Sequence, residues 1–503
     1  MLEYIISSLN TSTILLLVVS LMVYVWYRNV SRPAGFPPGP TALPVIGNIF
    51  DLMKGPLHEE FDKLATKYGD IFSIKIGNNW AVILNNLEFA KEAFLKKPVE
   101  FAGRPKSYSA EVFSQGYKDI AIATYSDTWK LRRKIGHSAI RHFASGKRLD
   151  KLVHSVLPKL SRALDEKEGK SFEPKEVLGV SVYNILATMC FGHEYSMEDP
   201  RLKYFIDFNK QILEEFGNGV PADYVPILKY VPNKKTKKMH EMAEEFHGEL
   251  QKEVEAHKEN YDPENVRDLI DSLLKEQENA IAEGSAKVDS LTDVHLLQTV
   301  SDMFSAGADT TTTSLHWSVA LMAQHPEIQE KIAEEMDRVV GRDRLPSIED
   351  RGKLPYTEAC MYEMLRYGSV SPVGVPHTTI EDTTLGNYAI PKDTWIFVNH
   401  WAIHHNEKFW NDPFKFKPEH FLDTSGEVRQ HPEGFLPFSF GRRVCLGEAF
   451  AKAEIFLLFS WLFQHYTFSI PPEQEGKFEI KLVTGSATRH QPDDFYIVAK
   501  KRF

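Results

Sequence analysis

Apolar residues recur every three to four positions through much of the chain, with charged residues between them. This spacing predicts amphipathic helices over Leu57–Tyr68, Leu87–Lys97, Thr128–Phe143, Leu149–Glu166, Lys203–Phe216 and Met239–Asn260. Two short strand-like runs, Ile71–Ile76 and Trp80–Leu84, flank Gly77-Asn78-Asn79 and predict a hairpin. Ala389–Val398 predicts a second strand pair, broken at Pro391-Lys392-Asp393. The expected fold is mainly α with a small β-sheet region.

The longest helical pattern starts at Thr292, a candidate N-cap, and runs to Gln324, with Pro326 ending it. At ~1.5 Å per residue such a helix spans roughly 50 Å and could cross the whole globule. Its centre, SAGADTTTTS (Ser305–Ser314), is polar for such a span. Glycine and successive threonines are poor interior helix formers, and threonine hydroxyls can bond back to a carbonyl one turn earlier. A solvated face would account for these residues. However, Leu296, Leu297, Val300 and Phe304 before the stretch, and Leu315, Trp317, Val319 and Leu321 after it, make the helix too apolar for that reading. A buried helix with a polar centre points to a site.

From Tyr4 to Tyr27 there is no charge, and Ile14–Tyr27 is nearly all apolar. Roughly 20 such residues span a bilayer. Glu3 precedes the run, and Arg28 and Arg32 follow it. A secretory signal would carry positive charge before the run and a small-residue cleavage site after it; neither is present. The expectation is an N-terminal transmembrane helix, with an ordinary buried helix as the alternative. The arginines place its C-terminal flank in the cytosol. Asn10-Thr11-Ser12 and Asn29-Val30-Ser31 match the glycosylation triplet, which is common by chance. FPPGPTALPVIGN (Phe36–Asn48) then forms a stiff, proline-set hinge. No linker, repeat or low-complexity tract follows. We expect residues 1–35 to be anchor and flank, and residues 36–503 to be one large domain.

Composition narrows the function. The net charge of -10 argues against a nucleic-acid partner. The three cysteines, Cys190, Cys360 and Cys445, are far apart and no CxxC occurs, so a disulfide framework and a zinc ribbon are both poor fits. Cys190 and Cys360 lie in apolar helical patterns and read as inert buried thiols. The run Lys234, Lys235, Lys237 and Lys238 reads as a solvated face.

Cys445 is different. It sits in FSFGRRVCLG (Phe438–Gly447), between glycines and ahead of the apolar helical pattern Leu446–Phe463. A thiol at a helix N-terminus beside arginines is expected to favour the thiolate, a soft metal ligand. One thiolate makes no zinc site. It does suffice for a haem iron, which the porphyrin already holds by four nitrogens.

With Phe438-x-x-Gly441-x-Arg443-x-Cys445-x-Gly447, the segment closely resembles the haem-binding loop of cytochrome P-450 monooxygenases. Trp129-x-x-x-Arg133 is similar to that family's haem-propionate helix. Ala306-Gly307-Ala308-Asp309-Thr310-Thr311 is similar to its oxygen-activating segment, and Glu363-x-x-Arg366 to the ion pair of its core. The resemblance covers essentially residues 36 to 503, and the anchor is like that of the microsomal type. One departure stands out. Pro418-Glu419-His420-Phe421 carries histidine where the family usually has arginine, and a ring is expected to serve the Glu/Arg network less fully than a guanidinium fork.

The resemblance implies the cytochrome P-450 fold and haem b (iron protoporphyrin IX) on Cys445, with Phe438, Gly441 and Gly447 shaping the loop. It implies Arg443, Arg133, Trp129, Arg104 and His377 as donors to the haem propionates, though each alone could be an ordinary salt-bridge residue. Ala306 would line the oxygen side and Gly307 would leave room for bound O2. Asp309 and Thr310 would relay protons. Glu363, Arg366 and His420 read as structural. No dinucleotide fingerprint or flavin domain is present. The implied electron source is therefore NADPH through the NADPH–cytochrome reductase, with cytochrome b5 as a further candidate partner. Lys130, Arg132, Lys134 and Arg442 form a candidate docking patch. The implied location is the endoplasmic reticulum membrane, single-pass and with a cytosolic catalytic domain in contact with membrane lipid.

Within the family, AGADTTTT (Ala306–Thr313) and HHNEK (His404–Lys408) resemble the steroid-hydroxylating type. GVPADYVPILKYVPN (Gly219–Asn233) and RDLIDSLL (Arg267–Leu274) resemble the aryl-hydrocarbon-metabolising type. Asn209 matches a substrate-binding asparagine of the steroid type. Asn209, Ala306 and Val373 are the substrate candidates, within walls over Tyr108–Tyr125, Phe205–Leu213, Phe304–Thr310, Ser371–Val375 and Val483–Ala487. Their apolar character suits a lipophilic substrate, either a steroid or a xenobiotic aromatic. The alternative function is a haem-thiolate isomerase or dehydratase that rearranges a peroxide without O2 or reductase. Intact Asp309-Thr310 favours the monooxygenase.

Overall fold

The computed structural model describes residues 13–17, 19–20, 30–144, 146–284, 288–429, 432–483 and 489–503. Most of the expected transmembrane run therefore lies outside the described residues. Residues 13–17 and 19–20 are helical and exposed. Among the described residues, no helix is long and apolar enough to cross a membrane.

Helices of five or more residues are numbered in chain order. α1 (Leu57–Tyr68) leads into the hairpin β1 (Ile71–Ile76) and β2 (Asn79–Leu84), as the spacing predicts. Asn86 caps α2 (Leu87–Lys91) by accepting from the Phe89 N–H, and a π-helical turn continues it to Lys96. Ser107 and Ser126 likewise cap α3 (Tyr108–Phe113) and α4 (Asp127–Phe143). α5 (Gly146–Asp165) buries Leu149, Val153, Val156, Leu160 and Leu164 at helical spacing. α6 (Pro174–Phe191), which follows the short strand β3 (Ser171–Phe172), is buried almost all round. α7 (Pro200–Gln211), α8 (Lys234–Glu259) and α9 (Leu269–Ala282) follow.

The central helix α10 spans Asp293–Gln324 without a break. Thr292 makes no side-chain cap; its hydroxyl lies 2.8 Å from His295 Nδ1 instead. The polar centre stays helical because its hydroxyls turn inward. Thr310, Thr312 and Ser314 donate to the carbonyls of Ala306, Ala308 and Thr310 at 2.8, 2.7 and 2.9 Å. Aromatic rings pack over its N-terminal half, with Phe304 4.9 Å from Phe205 and 5.0 Å from Phe191. α11 (Pro326–Val339), α12 (Pro355–Gly368), α13 (His400–His404) and α14 (Glu448–His465) complete the helices.

The remaining strands are β4 (His377–Thr378), β5 (Thr383–Leu385), β6 (Tyr388–Ile390), β7 (Trp395–Val398), β8 (Tyr466–Ser469) and β9 (Ile497–Lys501). They form sheets ordered β1-β2-β7-β4, β3-β9-β8 and β5-β6. The expected pairing within Ala389–Val398 does not occur. β6 pairs back to β5, whereas β7 runs parallel to β2. Pro391 lacks an N–H and Asp393 takes a left-handed φ of 61°, so the chain leaves one sheet and enters another.

Five buried histidines tie α1, α13 and the C-terminal segment together. His58 packs 4.9 Å from His490, and His404 Nε2 accepts from the Leu436 N–H at 2.9 Å. Burial pushes His58 and His405 down to about 3, His400 and His490 to about 4, and His404 well below its ordinary value. The unfolded chain binds protons here that the folded protein refuses. Stability from these rings is full above the ordinary histidine range and falls as pH drops from about 6.5 toward 4. Denaturant unfolding measured across that window should lose up to about 1.4 kcal/mol per pH unit for each ring.

Candidate functional site

A stripe of accessible residues interrupts the buried central helix. Asp302, Ser305, Ala306, Asp309 and Thr310 recur at helical spacing, and Ala306 is exposed at the helix's middle. Cys445 also has exposed surface, yet protein encloses it almost completely. A thiol surface that is exposed yet enclosed marks a recess within the protein at Cys445. The loop carrying Cys445 and the central helix meet at α4, where a side chain on Gly136 would touch Ile120, Met303 and Leu446.

The loop itself is tightly drawn. Ser439 and Gly441 take φ of 58° and 80°. A Cβ at Gly441 would lie 2.5 Å from the Phe94 carbonyl oxygen, so only glycine fits there. The Cys445 N–H donates to the Phe438 carbonyl at 3.0 Å, which fastens the loop's two sides. The N–H groups of Gly447 and Glu448, at the start of α14, donate to the sulfur. A Cβ on Gly447 would meet nothing within 4 Å, which leaves open space beside the thiol.

Burial raises the thiol above its ordinary range, and Glu448 adds to that; the two N–H groups and Arg133 oppose it. This departs from the sequence expectation of a thiolate favoured by the helix end and the neighbouring arginines. Enclosure outweighs the dipole, and deprotonation falls to a metal, which strips a coordinated thiol outright.

A strap at residues 118–123 gathers cations above the loop. Arg443 donates to the carbonyls of Ala102, Ile120 and Ala123 at 2.8, 3.4 and 2.7 Å, and lies 3.9 Å over the Trp129 ring. Trp129 Nε1 donates to Ile120 at 2.8 Å. Arg104 donates to Ala121, Val375 and Pro376 at 3.0, 2.8 and 2.9 Å, and Arg133 donates to the Val444 carbonyl. Burial and mutual repulsion push Arg104 down to about 9 and Arg443 to about 8; Asp119 offsets only part of this. Such a cluster calls for an anionic ligand. An exposed soft sulfur, glycine-lined space and buried guanidinia together fit a haem with its two propionates.

Glu363 and Arg366 form a fully buried pair at 2.6 Å. Arg366 also donates to the carbonyls of His404, Pro413 and Lys415. His420 fills the departure found in the sequence. Its Nδ1 lies 3.1 Å from Glu363 Oε1, and its Nε2 meets the Asn411 carbonyl. Each ring nitrogen faces an oxygen acceptor. The histidine thus joins the network at both ring nitrogens. His420→Ala should cost about 1–3 kcal/mol in thermal or denaturant unfolding, because it takes a partner from the buried Glu363 carboxylate.

The family description Cytochrome P-450 matches residues 37–495. A steroid 17-alpha-hydroxylase/17,20 lyase of Oryzias latipes is 38% identical over 487 residues, covering 94% of each chain. One from Ictalurus punctatus is 37% identical over 475 residues, 93% of this chain and 91% of that one. A cytochrome P-450 1A5 of Gallus gallus is 36% identical over 495 residues, 95% of this chain and 92% of that one. The chain belongs to the cytochrome P-450 family. It is a P-450 monooxygenase with the mostly helical P-450 fold, and the family carries a haem iron.

Several P-450 residues sit otherwise than the sequence led us to expect. A side chain on Gly307 would crowd Leu186 of α6 at 3.1 Å, so this glycine also lets two helices approach closely. His377 Nδ1 lies 2.8 Å from the Phe101 carbonyl, and burial beside Arg104 holds the ring well below its ordinary range. Its Nδ1 donates to that carbonyl, which anchors the strap region. Val373 is 1% exposed, packed among Phe61, Phe72 and Phe397; Gly374 turns the chain there, and Val375 carries the segment's exposed apolar side chain. Arg132 is buried against the Lys118 carbonyl and leaves the docking patch; Lys130, Lys134 and Arg442 remain exposed. Phe438 is half-buried against the core, and Asn209 is buried with its amide donating to Tyr183 Oη at 2.6 Å. Of the wall Val483–Ala487, residues 484–487 lie outside the described residues.

Two residues of this P-450 site carry no sequence signal we recognised. Asp302 accepts from the N–H groups of Ile120 and Ala121 at 2.6 and 3.2 Å, tying the strap to the central helix. Arg489 forms an ion pair with Asp309 from the far end of the chain.

Proposed function

We propose that this P-450 inserts one atom of O2 into a lipophilic substrate, a steroid or xenobiotic aromatic, with electrons from NADPH through a membrane-bound reductase. Cytochrome b5 is a second candidate electron donor. We place residues 1–35 as a membrane anchor in the endoplasmic reticulum, and residues 36–503 as the cytosolic catalytic domain. The observation that carries the reading is the exposed yet enclosed sulfur of Cys445, in a loop whose Arg443 joins Arg104 in a cluster of buried guanidinia.

When bound, the haem supplies a redox-active iron at which oxygen is activated. Cys445 Sγ would be its protein ligand, and the N–H groups of Gly447 and Glu448 would temper that sulfur's basicity. Arg104, Arg133 and Arg443 would neutralise the propionates, with Trp129 stacked beneath Arg443. Thr310 spends its proton on the Ala306 carbonyl, so its oxygen is free to accept and pass on another. Asp309 is the proton-relaying acid, held in place by Arg489. Ala306 offers exposed apolar surface for substrate.

The test is spectral titration of the haem with steroids, planar aromatics and fatty acids, followed by turnover with reductase and NADPH. Product formation that depends on O2 and reductase supports the reading. Peroxide rearrangement that needs neither would replace it with the isomerase or dehydratase class.

A further inference from the structure

Glu448 has so far entered only through its backbone N–H, which donates to the Cys445 sulfur from the first residue of α14. Its side chain acts on the same atom with the opposite sign. Burial does most to keep the thiol protonated, and the Glu448 carboxylate adds to it, so the field of this side chain reaches the sulfur. A negative charge there pushes electron density toward a metal on the sulfur, whereas the N–H withdraws it.

The carboxylate has a counter-ion on its own helix. Lys452 Nζ lies 2.6 Å from Glu448 Oε1, one turn further on. A glutamate four residues ahead of a lysine is an ordinary helix-surface pair. This one is more enclosed: the Lys452 and Glu448 side chains keep 19% and 35% exposure, against 80% and 61% for Lys237 and Glu241 at the same spacing on α8. Lys452 Nζ also lies 5.3 Å from the centre of the Phe438 ring, and the Phe438 carbonyl takes the Cys445 N–H. The lysine is therefore fixed between the carboxylate and the loop that carries the sulfur. The pair stands in the wall of a cleft of about 390 Å³, which holds a second ion pair, Lys91–Glu433 at 2.6 Å.

We propose that Glu448 sets the reduction potential of the haem iron through Cys445, with Lys452 as the counter-charge that holds the effect in check. This deepens the monooxygenase reading and rests on its assignment of haem to Cys445. Glu448 acts through the sulfur and is a positioning residue. The step concerned brings one electron from NADPH, through the reductase, to ferric iron; the iron becomes ferrous, and no bond forms or breaks. Added negative charge disfavours the ferrous form, so the carboxylate lowers the potential and the lysine raises it.

Redox titration of the holoenzyme, followed in its haem absorption without turnover, tests the proposal. Glu448→Gln should raise the midpoint and Lys452→Gln should lower it. Each should change the ferrous-to-ferric ratio at fixed potential at least threefold, about 28 mV for a one-electron couple. Glu448→Gln/Lys452→Gln should fall between the two, and Lys452→Arg should match the wild type. Glu433→Gln, from the other ion pair of the cleft, should leave the midpoint in place. If Glu448→Gln does not take up haem, Lys452→Gln and Lys452→Arg carry the test. Unmoved midpoints overturn the proposal. So do shifts of one sign in both single variants, which would mark the pair as loop packing. An equal shift in Glu433→Gln also overturns it, since any charge in the cleft would then serve. These outcomes judge the proposal alone when the reduced wild type with carbon monoxide gives the red-shifted Soret band of thiolate-ligated haem. A wild type without that band overturns the assignment of haem to Cys445 and this proposal with it.

Discussion

Replacing Cys445 with alanine should lower turnover at least ~10³-fold, equivalent to about 4 kcal/mol of transition-state stabilisation. The sulfur is the one exposed thiol among the described residues, since Cys190 and Cys360 are fully buried and burial pushes both thiols far up. The fold should survive. The thiol side chain only accepts from the Gly447 and Glu448 N–H groups, and the loop is fastened by backbone bonds such as Cys445 N–H to Phe438. We therefore expect the stability of the haem-free protein to change by no more than about 1 kcal/mol. The check is the carbon-monoxide complex of the reduced protein. Wild type should give the red-shifted Soret band of thiolate-ligated haem, and Cys445→Ala and Cys445→Ser should not. A variant that keeps that band would show that another residue holds the iron.

The second large effect is structural. Arg366→Met should destabilise the protein by about 3–5 kcal/mol, because it strands the Glu363 carboxylate in a site with no exposure. It also orphans the carbonyls of His404, Pro413 and Lys415. Against a typical net stability of about 5–15 kcal/mol, the variant should melt early and recover poorly with haem. The double variant Glu363→Gln/Arg366→Met separates the causes. If the stranded charge dominates, the double variant should regain part of the loss in denaturant unfolding; if the orphaned carbonyls dominate, it should match the single variant.

Much of this was legible in the sequence where one segment carries both pattern and role. α1 and the β1–β2 hairpin are legible because the helix repeats its apolar residues along one face and the two strand runs flank a Gly-Asn-Asn turn. The Cys445 loop is legible because its glycines, arginine and cysteine lie within ten residues. What stayed hidden depends on segments distant in sequence. Arg489 reaches Asp309 across the fold, and no local pattern marks either as the other's partner. Asp302 looks like one more polar helix residue until the strap's N–H groups arrive at it. Arg132 reads as surface charge by composition, yet burial beside Asp119 and Asp302 takes it inward. β6 and β7 are strands by pattern, but their partners lie on either side of a turn that spacing alone does not orient.

The Glu363–Arg366 pair has a consequence for the order of assembly. α12 closes on local contacts, whereas the Arg366 bonds to His404, Pro413 and Lys415 span separations of 38, 47 and 49 residues. Loop closure over such lengths must be met before those bonds reward it. The helix is therefore the template and the stretch between His404 and His420 the late arrival. That stretch leads into the cysteine loop, so amide protection around Cys445 should appear after α12 is already formed.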